Sequence, residues 1–198
     1  MASPIVAPAP APVHGGEPFI ELDATVLDFW RFSMSDLRTN TLRGYLAEFL
    51  VARAVGATKP RVEWDSFDIL TPESVRVEVK STGFVQAWTQ AKPRESRSWV
   101  ISQVAPYSAE TGQVCGERDF QADAYVFAVH TVRSQQEYNA QDLEQWIFYV
   151  LSRAQVVALP RDSRDRACAM LLRVREAAEA IACAELAAAV SKVAGGSA

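Results

Sequence analysis

The spacing of apolar positions changes period along the chain. Over residues 41–55 (TLRGYLAEFLVARAV), Leu42, Tyr45, Leu46, Phe49, Leu50 and Val55 recur at helical intervals, and Gly56 follows as a stop. Gly44 and Ala52 lie one turn either side of Glu48, a stripe of small residues suited to close approach of a sheet. Over residues 61–80 (RVEWDSFDILTPESVRVEVK) the period falls to two, in extended runs separated by the turn-forming residues Thr71, Pro72, Glu73 and Ser74. A three-residue loop of Pro72, Glu73 and Ser74 sets the register. Thr71 then faces Val75, Ile69 faces Val77 and Phe67 faces Val79, which makes one face apolar. The other face carries Asp68 opposite Glu78, with Lys80 two residues on, opposite Ser66. A slip of one residue would bury those charges among the valines.

Residues 99–104, 124–131 (AYVFAVHT) and 146–151 (WIFYVL) are β-branched or aromatic and predict strands. Residues 81–97 predict a short helix with Gln86 and Gln90 one turn apart, ending before Pro93. Asp162 or Ser163 is expected to cap a long helix running to about Val193, decorated by Arg164, Arg166, Arg173 and Arg175. Near the start, Phe29, Trp30 and Phe32 are expected to pack on the core, and Ser33 and Ser35 to cap helices. The expected whole is a disordered Pro/Ala-rich tail over residues 1–17 and one α/β domain over 18–198, with a central mixed β-sheet, flanking helices and a long C-terminal helix.

Composition narrows the chemistry. The chain has 198 residues, 49% of them hydrophobic and 22% charged, enough for one substantial core and incompatible with disorder throughout. A net charge of -4 argues against an evenly basic nucleic-acid binder, but the acidity is local: residues 101–150 carry seven acidic and two basic side chains. Cys115, Cys168 and Cys183 form no CxxC pair, so a zinc knuckle or disulfide framework is not expected. With His14 and His130 the only histidines, carboxylates and lysine must carry any chemistry. No apolar run approaches the roughly 18 to 20 residues of a membrane span, and residues 1–16 lack the basic start of a secretory signal. The expectation is a cytoplasmic protein without membrane contact. No GxxxxGK[ST] or GxGxxG loop is present to cradle a nucleotide.

Two carboxylates facing one another across a hairpin call for a cation, and hard oxygen ligands suit Mg²⁺, with Mn²⁺ a substitute. Lys80 beside them stabilises or activates an attacking water; neighbouring carboxylates oppose any lowering of its pKa, which favours the stabilising role. Glu48 on a leading helix, Asp68, a hairpin, and Glu78-Val79-Lys80 at a strand end together resemble the PD-(D/E)XK, or restriction-endonuclease-like, nuclease superfamily. The resemblance covers about residues 41–90. It implies a metal-dependent nuclease acting on phosphodiester bonds, DNA ahead of RNA. Asp68, Glu78 and the Val79 carbonyl would bind metal, Glu48 would support it, and Lys80 would serve the water. Gln90 resembles a glutamine some members place near the site, and Gln86 and Arg97 are further candidates for contacting substrate. The proline of the family name is absent, since Phe67 precedes Asp68, and Asp65 competes for the role of first acid. Site choice would fall to substrate structure, a homodimer or a specificity partner. The alternative is a non-catalytic nuclease-fold module that binds DNA or protein.

Overall fold

The computed structural model describes residues 11–95, 97–108 and 111–196. Helices α1 (Val26–Met34) and α2 (Asn40–Ala54) come first. Their caps are threonines rather than the expected serines. Thr25 forms a capping box with Asp28, and Thr39 accepts from the Leu42 N–H. Ser35 lies at the other end of α1. α2 stops where its sequence predicts. Gly56 takes φ +72°, and the N–H groups of Gly56 and Ala57 donate back to the Arg53 and Ala52 carbonyls, the paired bonds of a Schellman stop.

The hairpin β1 (Ile69–Leu70) and β2 (Arg76–Gly83) has the expected register, Ile69 against Val77. Its loop closes through the Thr71 N–H to the Val75 carbonyl, 3.0 Å, with Ser74 at φ +66° as the left-handed last residue of a three-residue loop. The first strand is much shorter than the sequence pattern suggests. Residues 61–68 run through turns and bends, so Phe67 and Val79 never pair.

After β2 the chain forms three short strands, β3 (Ser98–Ile101), β4 (Tyr107–Ser108) and β5 (Gln113–Val114), before β6 (Ala124–His130) and β7 (Trp146–Ser152). The central sheet has the order β1-β2-β6-β7, with β2 and β6 parallel and the other pairs antiparallel. β6 is buried along its whole length, which explains its nearly continuous apolar run. Its residues divide by size between two faces: Ala124, Val126 and Ala128 meet one core cluster, and Tyr125, Phe127 and Val129 the other.

The remaining elements are α3 (Arg153–Val157), β8 (Ala167–Met170), α4 (Leu171–Ala177) and α5 (Leu186–Gly195). α2 and α5 cover the small-residue face of the sheet. The antiparallel pair β3 and β8 covers the aromatic face together with α3 and α4. The C-terminal helix is therefore present but short. Arg166 pairs with Asp162 within a turn, and Ala167 to Met170 pair with β3, so the arginines of this stretch do not form one helical strip.

Three further expectations change. α2 turns Arg43, Ala47 and Val51 toward the sheet, not the Glu48 stripe, and Phe49 stays exposed. The aromatics of α1 do not enter the core: α1 has no buried residue, and Phe32 is 88% exposed. No helix forms within the described residues of 81–97; the segment after Gly83 is a loop. Residues 1–10 of the expected tail lie outside the described residues. His130 is a fully buried strand residue, its ring stacked on Tyr138 at 4.1 Å between centroids. Among the described residues, no helix is long and apolar enough to cross a membrane.

Candidate active site

The early end of β1 shapes the site. Thr71 donates to Val75, so in a regular ladder Phe67 and Val79 would form the next hydrogen-bonded pair but one. The chain has turned away by then. The Val79 N–H donates instead to the Asp68 Oδ2 at 2.7 Å, so a carboxylate stands where the strand's backbone would be. N–H and C=O of one strand residue point to the same side, so the Val79 carbonyl faces this open edge too. Alternation along β2 sends Val77 and Val79 toward α2 and α5, and Glu78 and Lys80 to the opposite face.

Glu78 and Lys80, two residues apart on that face, form an ion pair. Glu48 reaches the same edge from the flank of α2, with its side chain 15% exposed, and its Oε2 accepts from Arg61 Nε at 2.7 Å. Arg61 also donates to Glu63 at 3.0 Å and lies over the Tyr45 ring, 4.9 Å from its centroid. Arg61 was not legible as part of the site: it follows Pro60 in a segment whose pattern reads as strand, and its pairing depends on how that segment bends.

The electrostatics tie these groups together. Burial pushes the Glu48 carboxyl above the ordinary carboxylate range, and the Asp68 charge pushes it further. Burial likewise raises Glu78, with Lys80 opposing the shift and Asp68 reinforcing it. Asp68 is raised by burial against the opposing effects of the Val79 N–H, Lys80 and Arg61. Lys80 sits above the ordinary lysine value, because Glu78, Asp68 and Glu48 together outweigh the burial that would lower it. The lysine is therefore held as an ammonium ion, in keeping with the stabilising role.

Two clefts meet at Asp68. One, of about 320 Å³, is lined by Glu63, Asp65, Asp68, Glu78, Gln121 and Tyr125 among others. The second, of about 600 Å³, runs along α2 past Tyr45, Glu48, Phe49, Arg61 and Asp68. Asp65 is exposed and lines both, whereas Asp68 is the acid that bonds to Val79 and senses Lys80.

Glu48, Asp68, Glu78 and Lys80 thus gather around one sheet edge. The other three candidates, Gln86, Gln90 and Arg97, stand apart at the far end of β2. The Gln86 amide donates to the Gly83 and Val85 carbonyls at 2.9 and 3.1 Å, and Gln90 Oε1 accepts the Gln86 N–H at 2.7 Å, so these amides staple the loop. Arg97 is buried, 5.3 Å from the Phe84 ring centroid.

The donors at the edge suit Mg²⁺, which takes one or two carboxylates and keeps several waters. Among the described residues no three His, Cys, Asp or Glu side chains already converge on one point. Glu48 is turned to Arg61, Glu78 to Lys80 and Asp68 to the Val79 N–H.

A sequence model of the family described as bacteriophage T4 endonuclease IV matches residues 26–154, from the start of α1 to the start of α3. No curated protein matches the chain.

Proposed function

The chain belongs to the bacteriophage T4 endonuclease IV family, a family of nucleases, and from that premise we propose hydrolysis of nucleic-acid phosphodiesters by PD-(D/E)XK chemistry, with DNA ahead of RNA as substrate. The observation that carries this reading is the gathering of Glu48, Asp68 and Glu78, each raised by burial, around a charged Lys80 at an open sheet edge. A fold gains nothing from crowding buried carboxylates unless they serve a cation.

Asp68, Glu78 and the Val79 carbonyl would hold Mg²⁺, and Glu48 would hold its water shell from α2. When bound, the ion supplies Lewis acidity toward the phosphate and makes a nearby water easier to deprotonate. Lys80 keeps its ammonium near the developing phosphorane charge, where a fixed cation in a partly dry site favours the transition state. Asp68, fixed through Oδ2 by the Val79 N–H, would offer its other oxygen to the ion. Arg61 holds the Glu48 carboxylate and reinforces the positive side of the edge.

The test is cleavage of plasmid and oligonucleotide DNA by purified protein with and without Mg²⁺. Asp68→Ala, Glu78→Ala and Lys80→Ala should each lose about 10²-fold or more in rate. Equal cleavage by wild type and these variants would sink the assignment. Calorimetry separates the alternative of a non-catalytic module: absence of Mg²⁺ and Mn²⁺ binding, with or without DNA, would favour that module.

A further inference from the structure

The far end of β2 gathers charge of the opposite sign, and the hydrolytic site does not use it. Arg43 on α2 is 3% exposed, and its guanidinium reaches Gly83: a β-carbon built there would lie 3.5 Å from Arg43 Nη1. One residue on, the Phe84 ring is flanked by two guanidiniums, Arg133 at 4.2 Å and Arg97 at 5.3 Å from its centroid. The backbone N–H of Arg94 donates to the Phe84 carbonyl at 3.1 Å, which brings a fourth arginine to the same turn. Three guanidiniums, those of Arg43, Arg97 and Arg133, therefore approach these two residues, and Arg94 is tied to the same turn by its backbone, with its charge acting on Arg97.

Glu95 is the acid that lies among them. Glu95 pairs with Arg133, and both side chains are more than half exposed. Arg43 gives Nη1 to the Arg38 carbonyl at 3.2 Å and Nη2 to Asn40, while its buried Nε has no partner among the described residues. Burial lowers the Arg97 pKa to about 10, with the charges of Arg94, Arg43 and Arg133 adding to the effect and Glu95 opposing it. The loop is built to stay in place, since Gln86 and Gln90 staple it and Gln135 donates to the Gln86 carbonyl at 2.6 Å. Mutual repulsion held inside a rigid frame is the arrangement that binding of an anion relieves.

Phe84 belongs to the same core cluster as Tyr125 and Phe127, the strand neighbours of Glu78 and Lys80. The arginines stacked on it thus lie just past the end of β2, against the core cluster that holds the strand neighbour of Lys80. We infer that Arg94 and Arg133, backed by Arg43 and Arg97, form an anion site that grips a phosphate of the nucleic-acid strand beyond the one being hydrolysed. This rests on the nuclease reading for its ligand, and it assigns β2 two tasks, chemistry at its middle and strand positioning at its end.

The experiment is fluorescence anisotropy of a labelled DNA oligonucleotide in EDTA, where binding is read without cleavage. Arg94→Gln/Arg133→Gln changes two exposed side chains and is compared with Arg31→Gln/Arg173→Gln, exposed arginines on α1 and α4. The first pair should weaken binding about ten-fold more than the second. It should also lower the slope of log affinity against log salt by about 0.7 to 0.9, the loss of one phosphate contact. Inorganic phosphate at the same phosphate concentration should not displace the DNA; displacement would mean that the site takes free phosphate and would overturn the inference. Equal affinity and slope in the two double variants would overturn it as well. If Lys80→Ala still abolished cleavage in that case, the hydrolytic reading would stand alone; a wild type that binds no DNA would overturn both.

Discussion

The middle of β2 and the turn at its end collect opposite charge by opposite means. At Glu78 to Lys80 the strand supplies the charged residues itself, and its neighbour β1 stops early so that Asp68 and Glu48 can approach the open edge. At Gly83 the end of the strand supplies an absence of side chain and the next residue, Phe84, an aromatic ring, and arginines from three other segments pack around them. The first arrangement is written along one short piece of sequence. The second exists only where distant segments meet. Their separation suggests a division of labour, since a phosphodiester chain can meet cation-loving and anion-loving sites at once only by spanning them.

The sharpest way to break that comparison is to ask which kinetic quantity each end controls. Lys80→Ala should lower the cleavage rate at saturating DNA by about 10²-fold or more with little change in DNA affinity, and Arg94→Gln/Arg133→Gln should act chiefly on affinity. A reversed pattern in single-turnover kinetics would dissolve the distinction. Glu48→Gln comes next. On the proposed reading it would remove a water-shell partner rather than a direct ligand, so the Mg²⁺ concentration for half-maximal activity should rise about 10- to 100-fold, with the maximal rate less affected.

A smaller effect concerns pH and stability together. The carboxyls of Glu48, Asp68 and Glu78 are raised in the folded protein, so each binds its proton more tightly folded than unfolded. Their contribution to stability is full below the ordinary carboxylate values and is lost as pH rises through the raised ones. Cleavage should run the other way. It should fall with decreasing pH sooner than ordinary carboxylates would dictate, while Lys80, raised in its turn, stays charged across the neutral and mildly alkaline range. Asp68→Asn keeps an acceptor for the Val79 N–H and removes one of the repelling charges. Urea unfolding at pH 7 should show it about 0.5 to 1 kcal/mol more stable than wild type, although inactive. Lower stability in that variant would mean that the acid is held by favourable contacts rather than by function.

The smallest effect tests the crowding at the other end. In Gly83→Ala the new methyl would meet His130 Cβ at 3.4 Å and Arg43 Nη1 at 3.5 Å, which are ordinary contacts. Thermal unfolding should place it within about 1 kcal/mol of wild type. A larger loss would show that Arg43 has no room to yield, and would make the arginine cluster a rigid structural feature.

Much of the carboxylate region was legible because its determinants are local. Alternation fixes that Glu78 and Lys80 share a face, and a three-residue loop fixes the register that sets Ile69 against Val77 and brings Asp68 to the edge of β2. The strands over residues 124–130 and 146–152 announce themselves through β-branched and aromatic runs. The errors arise where tertiary packing overrides a local pattern. The alanine-rich C-terminal segment has high helix propensity throughout, yet Ala167 to Met170 form a strand because β3 offers an unpaired edge there. On α2 the small-residue stripe of Gly44, Glu48 and Ala52 looked like the one that meets the sheet. Ala47 and Val51 face the sheet instead, because the small Ala124, Val126 and Ala128 of β6 leave room for a closely packed helix.

What the sequence determined by itself is whatever repeats over a few residues: the helix and its glycine stop, the hairpin register, and the face on which Glu78 and Lys80 lie. The tertiary structure alone decided that Arg61 meets Glu48, that β1 ends in time to open the edge, and that Arg97 and Arg133 converge on Phe84 with Arg43 beside Gly83. The reason is range. Backbone periodicity is set by neighbours in the chain, whereas the placement of a long charged side chain is set by burial and by partners tens of residues away.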